Sequence, residues 1–199
     1  MGGFREMKKK TKALILALCA IMLVGATFAT TLAWLTDKTD PIENVFTVGN
    51  IDIELEETDG LTFKMVPGKT ITKDPTVTVK KDSEACWLFV KVVKDGGDVT
   101  VGSTNYTFDD FLTYVIADGW TELSGNAGVY YREVAETTAD TDFKVLKDDV
   151  VTVKTTVTKE MMDAIAADTS KAPTLTFTAY ACQKAEIASA SAAWAIVGN

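Results

Sequence analysis

Trp87-Leu88-Phe89-Val90-Lys91-Val92-Val93 puts six apolar side chains into seven positions, with β-branched residues at 90, 92 and 93. The run is too short for a buried helix and too apolar for a strand with one wet face. It reads as a central β-strand, covered on both sides. Outward from it the same signal recurs. Residues 51–56 (IDIELE) alternate apolar and charged, as a half-buried strand does, and residues 76–80 (TVTVK) repeat the pattern. Residues 128–134 (GVYYREV), 150–158 (VVTVKTTVT) and 174–182 (TLTFTAYAC) are further strand candidates. Asp59-Gly60, Pro67-Gly68, Gly96-Gly97, Asp118-Gly119 and Ser124-Gly125-Asn126 punctuate them as turns.

Many short strands at this spacing predict an all-β chain, an antiparallel β-sandwich of jelly-roll type. A few short helices decorate it. Thr107 is placed to cap residues 108–113, with Asp109 and Asp110 in the first turn, where the helix dipole favours anions. Thr158 is placed to cap residues 159–167. The alanine-rich residues 188–197 are expected to lie across one edge of the sandwich. Aromatic residues such as Trp87, Phe89, Trp120, Tyr130, Tyr131, Phe143, Phe177 and Tyr180 are interleaved with the strands. They read as core, with exposed ones available to a sugar.

Residues 1–33 are of another kind. A basic stretch at residues 8–12 (KKKTK) precedes the almost wholly apolar residues 13–29, and small residues lead up to Ala33. That is the grammar of a signal peptide, a signal helix with its cut between Ala33 and Trp34. The alternative is an uncleaved anchor, since residues 13–33 are long enough to span a bilayer. Either way the lysines stay inside and the rest faces outward. The membrane is met only through this precursor segment, and the protein is expected outside the cell.

The 199 residues include 20 basic and 28 acidic ones. Arg5, Lys8, Lys9, Lys10, Lys12 and Glu6 fall in the first 33, which leaves 15 basic against 27 acidic residues beyond them. Such a surface repels nucleic-acid phosphates, so no nucleic-acid partner is expected. The chain has no histidine. This excludes Ser–His and Cys–His catalysis and any zinc site with an imidazole ligand. Beyond the signal only Cys86 and Cys182 remain, as one disulfide or as two small buried thiols.

Carboxylates are plentiful, yet none stands out. Glu54, Glu56 and Glu57 continue the solvent face of a strand, and Asp148-Asp149 sit in an apparent turn. Asp140 and Asp142 are spaced as in some calcium loops but lack the glycine and the closing glutamate. No phosphate loop or nucleophile elbow is present. Catalytic residues, metal and cofactor are all expected to be absent.

One constellation is unusual: Trp34-Leu35-Thr36-Asp37-Lys38-Thr39-Asp40-Pro41, followed by residues 42–49. A mature start at Trp-Leu hides its apolar side chains by adding to another sheet, or else it is a frayed tail. Ala33-Trp34-Leu35-Thr36-Asp37, with Asn44-Val45-Phe46-Thr47-Val48-Gly49-Asn50-Ile51-Asp52-Ile53, resembles the start of TasA/camelysin-type proteins of Gram-positive bacteria. The motif-bearing part covers roughly residues 8–70.

The resemblance implies a jelly-roll domain over residues 50–199, cut free by a SipW-type signal peptidase. Fibre-forming members of that family build biofilm matrix, the N-terminal segment of one subunit completing the sheet of the next. Here that segment is residues 34–49, with Trp34, Leu35, Val45, Phe46 and Val48 as its apolar side chains. Its partner is then another copy or a related matrix subunit. The rival reading is a monomeric surface module that binds glycan or protein. Camelysin-type members are described as metalloproteases, and a chain without histidine does not share that activity.

Overall fold

The computed structural model describes residues 50–57 and 64–198. The signal at 1–33, its cut at Ala33 and Trp34, and the assembly segment with Leu35, Val45, Phe46 and Val48 lie outside them. In chain order the strands are β1 (Ile53–Glu56), β2 (Thr70–Thr72), β3 (Thr76–Val79), β4 (Cys86–Asp95), β5 (Val99–Val101) and β6 (Thr104–Tyr106). Then come β7 (Leu112–Ile116), β8 (Thr121–Glu122), β9 (Val129–Val134), β10 (Thr141–Lys144), β11 (Leu146–Val153) and β12 (Thr174–Gln183). The helices are α1 (Phe108–Phe111), α2 (Lys159–Ala167) and α3 (Ala190–Val197).

Every strand pairing is antiparallel. One sheet has the order β12-β4-β9-β8, so the apolar run at 87–93 is central, as its composition predicts. Two three-stranded sheets, β1-β3-β10 and β2-β11-β7, share a common seam. Val145 N donates to Pro75 O (2.9 Å) and Lys73 N to Asp149 O (2.8 Å) across the break between them. Lys144 pairs with Thr76 but Val150 with Thr72. β11 therefore carries two extra residues against its partner. Asp148 and Asp149 absorb them in the left-handed region, with φ of 59° and 54°. The apparent turn at these two aspartates is thus a bulge inside a strand.

β4 explains why the fold has two cores. Its even residues, Cys86, Leu88, Val90 and Val92, face inward onto Val77 and Val79 of β3, Val134 of β9 and Val145. Its odd residues Trp87 and Phe89 face the other way, beneath α3. Trp194 of α3 packs at a tilt against Phe89 with ring centroids 5.3 Å apart and meets Tyr180 edge-on at 5.1 Å. The alanine-rich helix therefore covers a face of this sheet and not an edge. Two large rings on the outer side of β4 need a cover, and Ala190, Ala193 and Trp194 form one stripe at helical spacing. Ser189 caps it by accepting from Ala192 N (3.2 Å).

A third cluster joins Phe108, Phe111 and Leu112 to Leu146, Val151 and Val153 of β11 and to Met161 and Ile165 of α2. Thr158 caps α2 as expected, its hydroxyl accepting from Met161 N (3.3 Å). This capping ends the strand read over 150–158 at Val153. α1 is shorter than predicted. Leu112 takes extended geometry (φ −124°, ψ 151°), and the chain goes straight into β7. There the apolar residues at 112, 114 and 116 fall on one strand face.

Candidate functional site

β12 is the longest strand at a sheet border. It runs ten residues and pairs only with β4 among the described strands. The pairing runs from Thr174 opposite Asp95 to Gln183 opposite Cys86. Lys184 N donates to Ala85 O (2.9 Å) just past its end. In an antiparallel ladder the bonded positions alternate, so the even residues of β12 bond to β4. The N–H and C=O groups of Leu175, Phe177, Ala179 and Ala181 point outward from the sheet. The side chains of these residues face the inner core, yet all four are only half-buried. Ile53 and Leu55 of β1, on the same core, are half-buried as well. Among the described residues, an apolar row and a row of backbone groups are thus both incomplete along one edge.

A cavity of about 190 Å³ opens at the start of this edge. Met65, Ile71, Leu112, Val151 and Leu175 make its apolar wall. Lys73 and Glu57 form a mostly buried ion pair there, at 2.6 Å. The pair places charge within the wall of the cavity, beside its apolar side chains.

The opposite border is closed differently. Arg132 projects inward from β9, and its guanidinium stacks on Phe143 (4.1 Å) and Trp120 (5.4 Å). Trp120 is fixed by its indole N–H, which donates to Lys144 O (2.8 Å). Gly119, at φ +89°, lies so close that a Cβ would sit 3.1 Å from the guanidinium. Partial burial draws the Arg132 pKa below its usual value.

Most of the carboxylates singled out in the sequence have partners within the fold, and Glu56 and Asp148 are exposed. Glu54 and Glu56 lie on the exposed face of β1. Glu54 pairs with Lys80 at 2.5 Å, and that hydrogen bond holds its pKa below the usual value. Asp140 accepts from Lys81 N (2.8 Å), the main cause of its lowered pKa. Asp142, opposite Thr78 across the β3–β10 ladder, accepts from that hydroxyl (2.7 Å). Asp149 is bound by Lys144. Among the described residues no group of three or more His, Cys, Asp or Glu is placed to hold a metal ion. No helix among them is long and apolar enough to cross a membrane.

Cys86 and Cys182 are free, buried thiols. Cys182 lies opposite Trp87, and Cys86 opposite Gln183. Cross-strand partners share a face, so the two sulfurs belong to opposite faces of the sheet, and of the two readings left open by the sequence that of two buried thiols holds. Burial, and to a smaller degree the Cys182 thiol, push the Cys86 pKa up from 9.0 to about 11. At pH 8 that leaves about 100-fold less thiolate than in the unfolded chain. Native Cys86 is therefore expected to react with iodoacetamide at least about 100-fold more slowly than in urea, read by mass spectrometry of the labelled peptide. Equal rates would contradict the burial. Because the folded pKa is the higher one, the stability this thiol contributes is complete below pH 9 and lost as pH rises through about 11.

Compared with known proteins, the chain matches no family model, no curated protein and no solved structure.

Proposed function

We propose that the chain is a secreted structural protein, a subunit or accessory of an extracellular matrix fibre at the cell surface or in a biofilm. In this reading a SipW-type signal peptidase cuts between Ala33 and Trp34. Residues 34–49 then add as a strand to the sheet of another copy or of a related subunit. The observation that carries the proposal is the outer edge of β12, which no described strand pairs. Unpaired edge backbone and a half-covered apolar row are what an added strand completes, by main-chain hydrogen bonds and alternate side chains. Residues 45–48 (VFTV) supply β-forming side chains for that purpose. A head-to-tail contact that never closes yields a filament.

Strand order supports the jelly-roll reading in part. If β2 with β3, and β10 with β11, each count as one bent strand, and the small β5–β6 hairpin is set aside, eight positions remain. Strands eight, three and six then lie side by side in one sheet, and two, seven and four in the other. Those triplets also occur in a jelly roll, but the first and fifth strands border the opposite sheets from that fold, β1 beside β3 and β8 beside β9. Glu54, Asp140, Asp142 and Asp149 are engaged in ladders and ion pairs, which supports a structural role over an enzymatic one.

Chains beginning at Trp34 and at Ile51, imaged by negative stain over a range of salt and pH, test the proposal. Fibres are expected from the first and none from the second. Fibres from neither, with both folded, would sink it.

A further inference from the structure

Between β7 and β9 the two layers part around a cleft of about 420 Å³, at the opposite border from β12. Tyr114 enters from β7 and Tyr130 from β9, with Ile116 beside them, Val115 on the lip at 60% exposure, and Lys94 and Asp109 at one end. The volume falls within the range of small-molecule pockets, about 300–1,000 Å³. Lys94 Nζ is 5.5 Å from the Tyr114 ring and 2.8 Å from Asp109 Oδ1, so the cation is already matched. Neither phenol hydroxyl has a hydrogen-bond partner among the described residues. Both phenols are held above their ordinary pKa, chiefly by burial, Tyr114 reaching about 12. Tyr130 and Tyr114 each also feel the carboxylate of Glu122.

We infer that this cleft is a binding site for a neutral saccharide. Three properties select that ligand class. Phenol rings offer flat apolar walls to the C–H faces of a pyranose. Two free hydroxyls, a carboxylate and an ammonium converge as mixed donors and acceptors, which suits a polyol whose every hydroxyl is both. The Lys94–Asp109 pair cancels its own charge, so the cleft offers a phosphorylated or acidic ligand no unmatched cation. The site is separate from the β12 edge and does not depend on polymerisation. A matrix subunit carrying it would join protein fibre to polysaccharide.

The test uses the full chain, expressed with its own leader and purified as the cell processes it. Cellohexaose, chitotetraose and maltohexaose are titrated by calorimetry, with tetragalacturonate as the acidic comparison. At least one neutral saccharide is expected to bind. Tyr114→Phe and Tyr130→Phe keep the rings and the fold and are expected to weaken that binding about tenfold each, the loss of one hydrogen bond. The inference is overturned if no neutral saccharide binds at its solubility limit, if the two variants bind as tightly as the parent, or if tetragalacturonate alone binds. It is also overturned if a peptide of residues 42–49 occupies the cleft and no saccharide does, since the border would then take a strand.

Discussion

Proline in place of Ala179 is expected to leave the subunit folded and to abolish fibres. Ala179 lies opposite Val90 on the side of β12 whose N–H points away from β4. Proline there removes no ladder bond of the subunit itself and is tolerated as an edge-strand proline is. The preceding Thr178 is already extended, as a residue before proline must be. Stability should move by no more than about 1 kcal/mol. An incoming strand, however, loses one donor and meets the ring in the middle of its path. Tyr180→Pro makes the comparison sharp. Its N–H bonds to β4, so that variant should lose stability in the monomer as well. Thermal unfolding and electron microscopy on the two variants separate a blocked edge from a broken sheet. Fibres from folded Ala179→Pro at the parent's density would place the acceptor elsewhere.

The largest loss of stability is expected from Phe89→Ala. The ring is fully buried, on the central strand, between Tyr131 and Trp194. Its removal leaves a cavity that α3 cannot close without losing its own contacts. A Phe→Ala change at such a site costs about 3–5 kcal/mol. That is a large part of the roughly 5–15 kcal/mol that holds a domain folded. The melting temperature should fall by about 10 °C for a chain of this size. Val115→Ala, at a position 60% exposed, serves as the contrast and should stay within about 0.5 kcal/mol of the parent. A loss at Phe89 no greater than at Val115 would mean that α3 is not docked on this face.

Periodicity read well where one residue type dominated. The run at 87–93 is the centre of its sheet, and the alternation at 51–56 places Glu54 and Glu56 on the wet face of β1. Thr158 marked the start of α2 because its cap is a local interaction between residues three apart. What was not legible depends on distant partners. β2, β5, β6, β7, β8 and β10 have two to five residues each, too few to show a period. β10 was hidden by Asp140 just before it and Asp142 within it, whose spacing is that of some calcium loops. Asp142 is instead the cross-strand partner of Thr78, 64 residues away in sequence.

The same limit applies to the site. The sequence marks residues 174–182 as a strand, but being a border strand is a property of neighbours and leaves no trace in its own residues. Tyr114 carries no signal either, because its role in the cleft exists only once β7 faces β9. The thiols show the converse. Two cysteines left a bridge or two buried thiols open, and a register that sets them on opposite faces of neighbouring strands selects the thiols.

The most direct test of the account is a cross-link. A photo-reactive benzoylphenylalanine at position 46, in fibres grown from the chain that starts at Trp34, is irradiated and the products are mapped by mass spectrometry. The account predicts links between different subunits that end within Thr174–Gln183. Links confined to one subunit, or ending on α3 at Ala190–Val197, would contradict it.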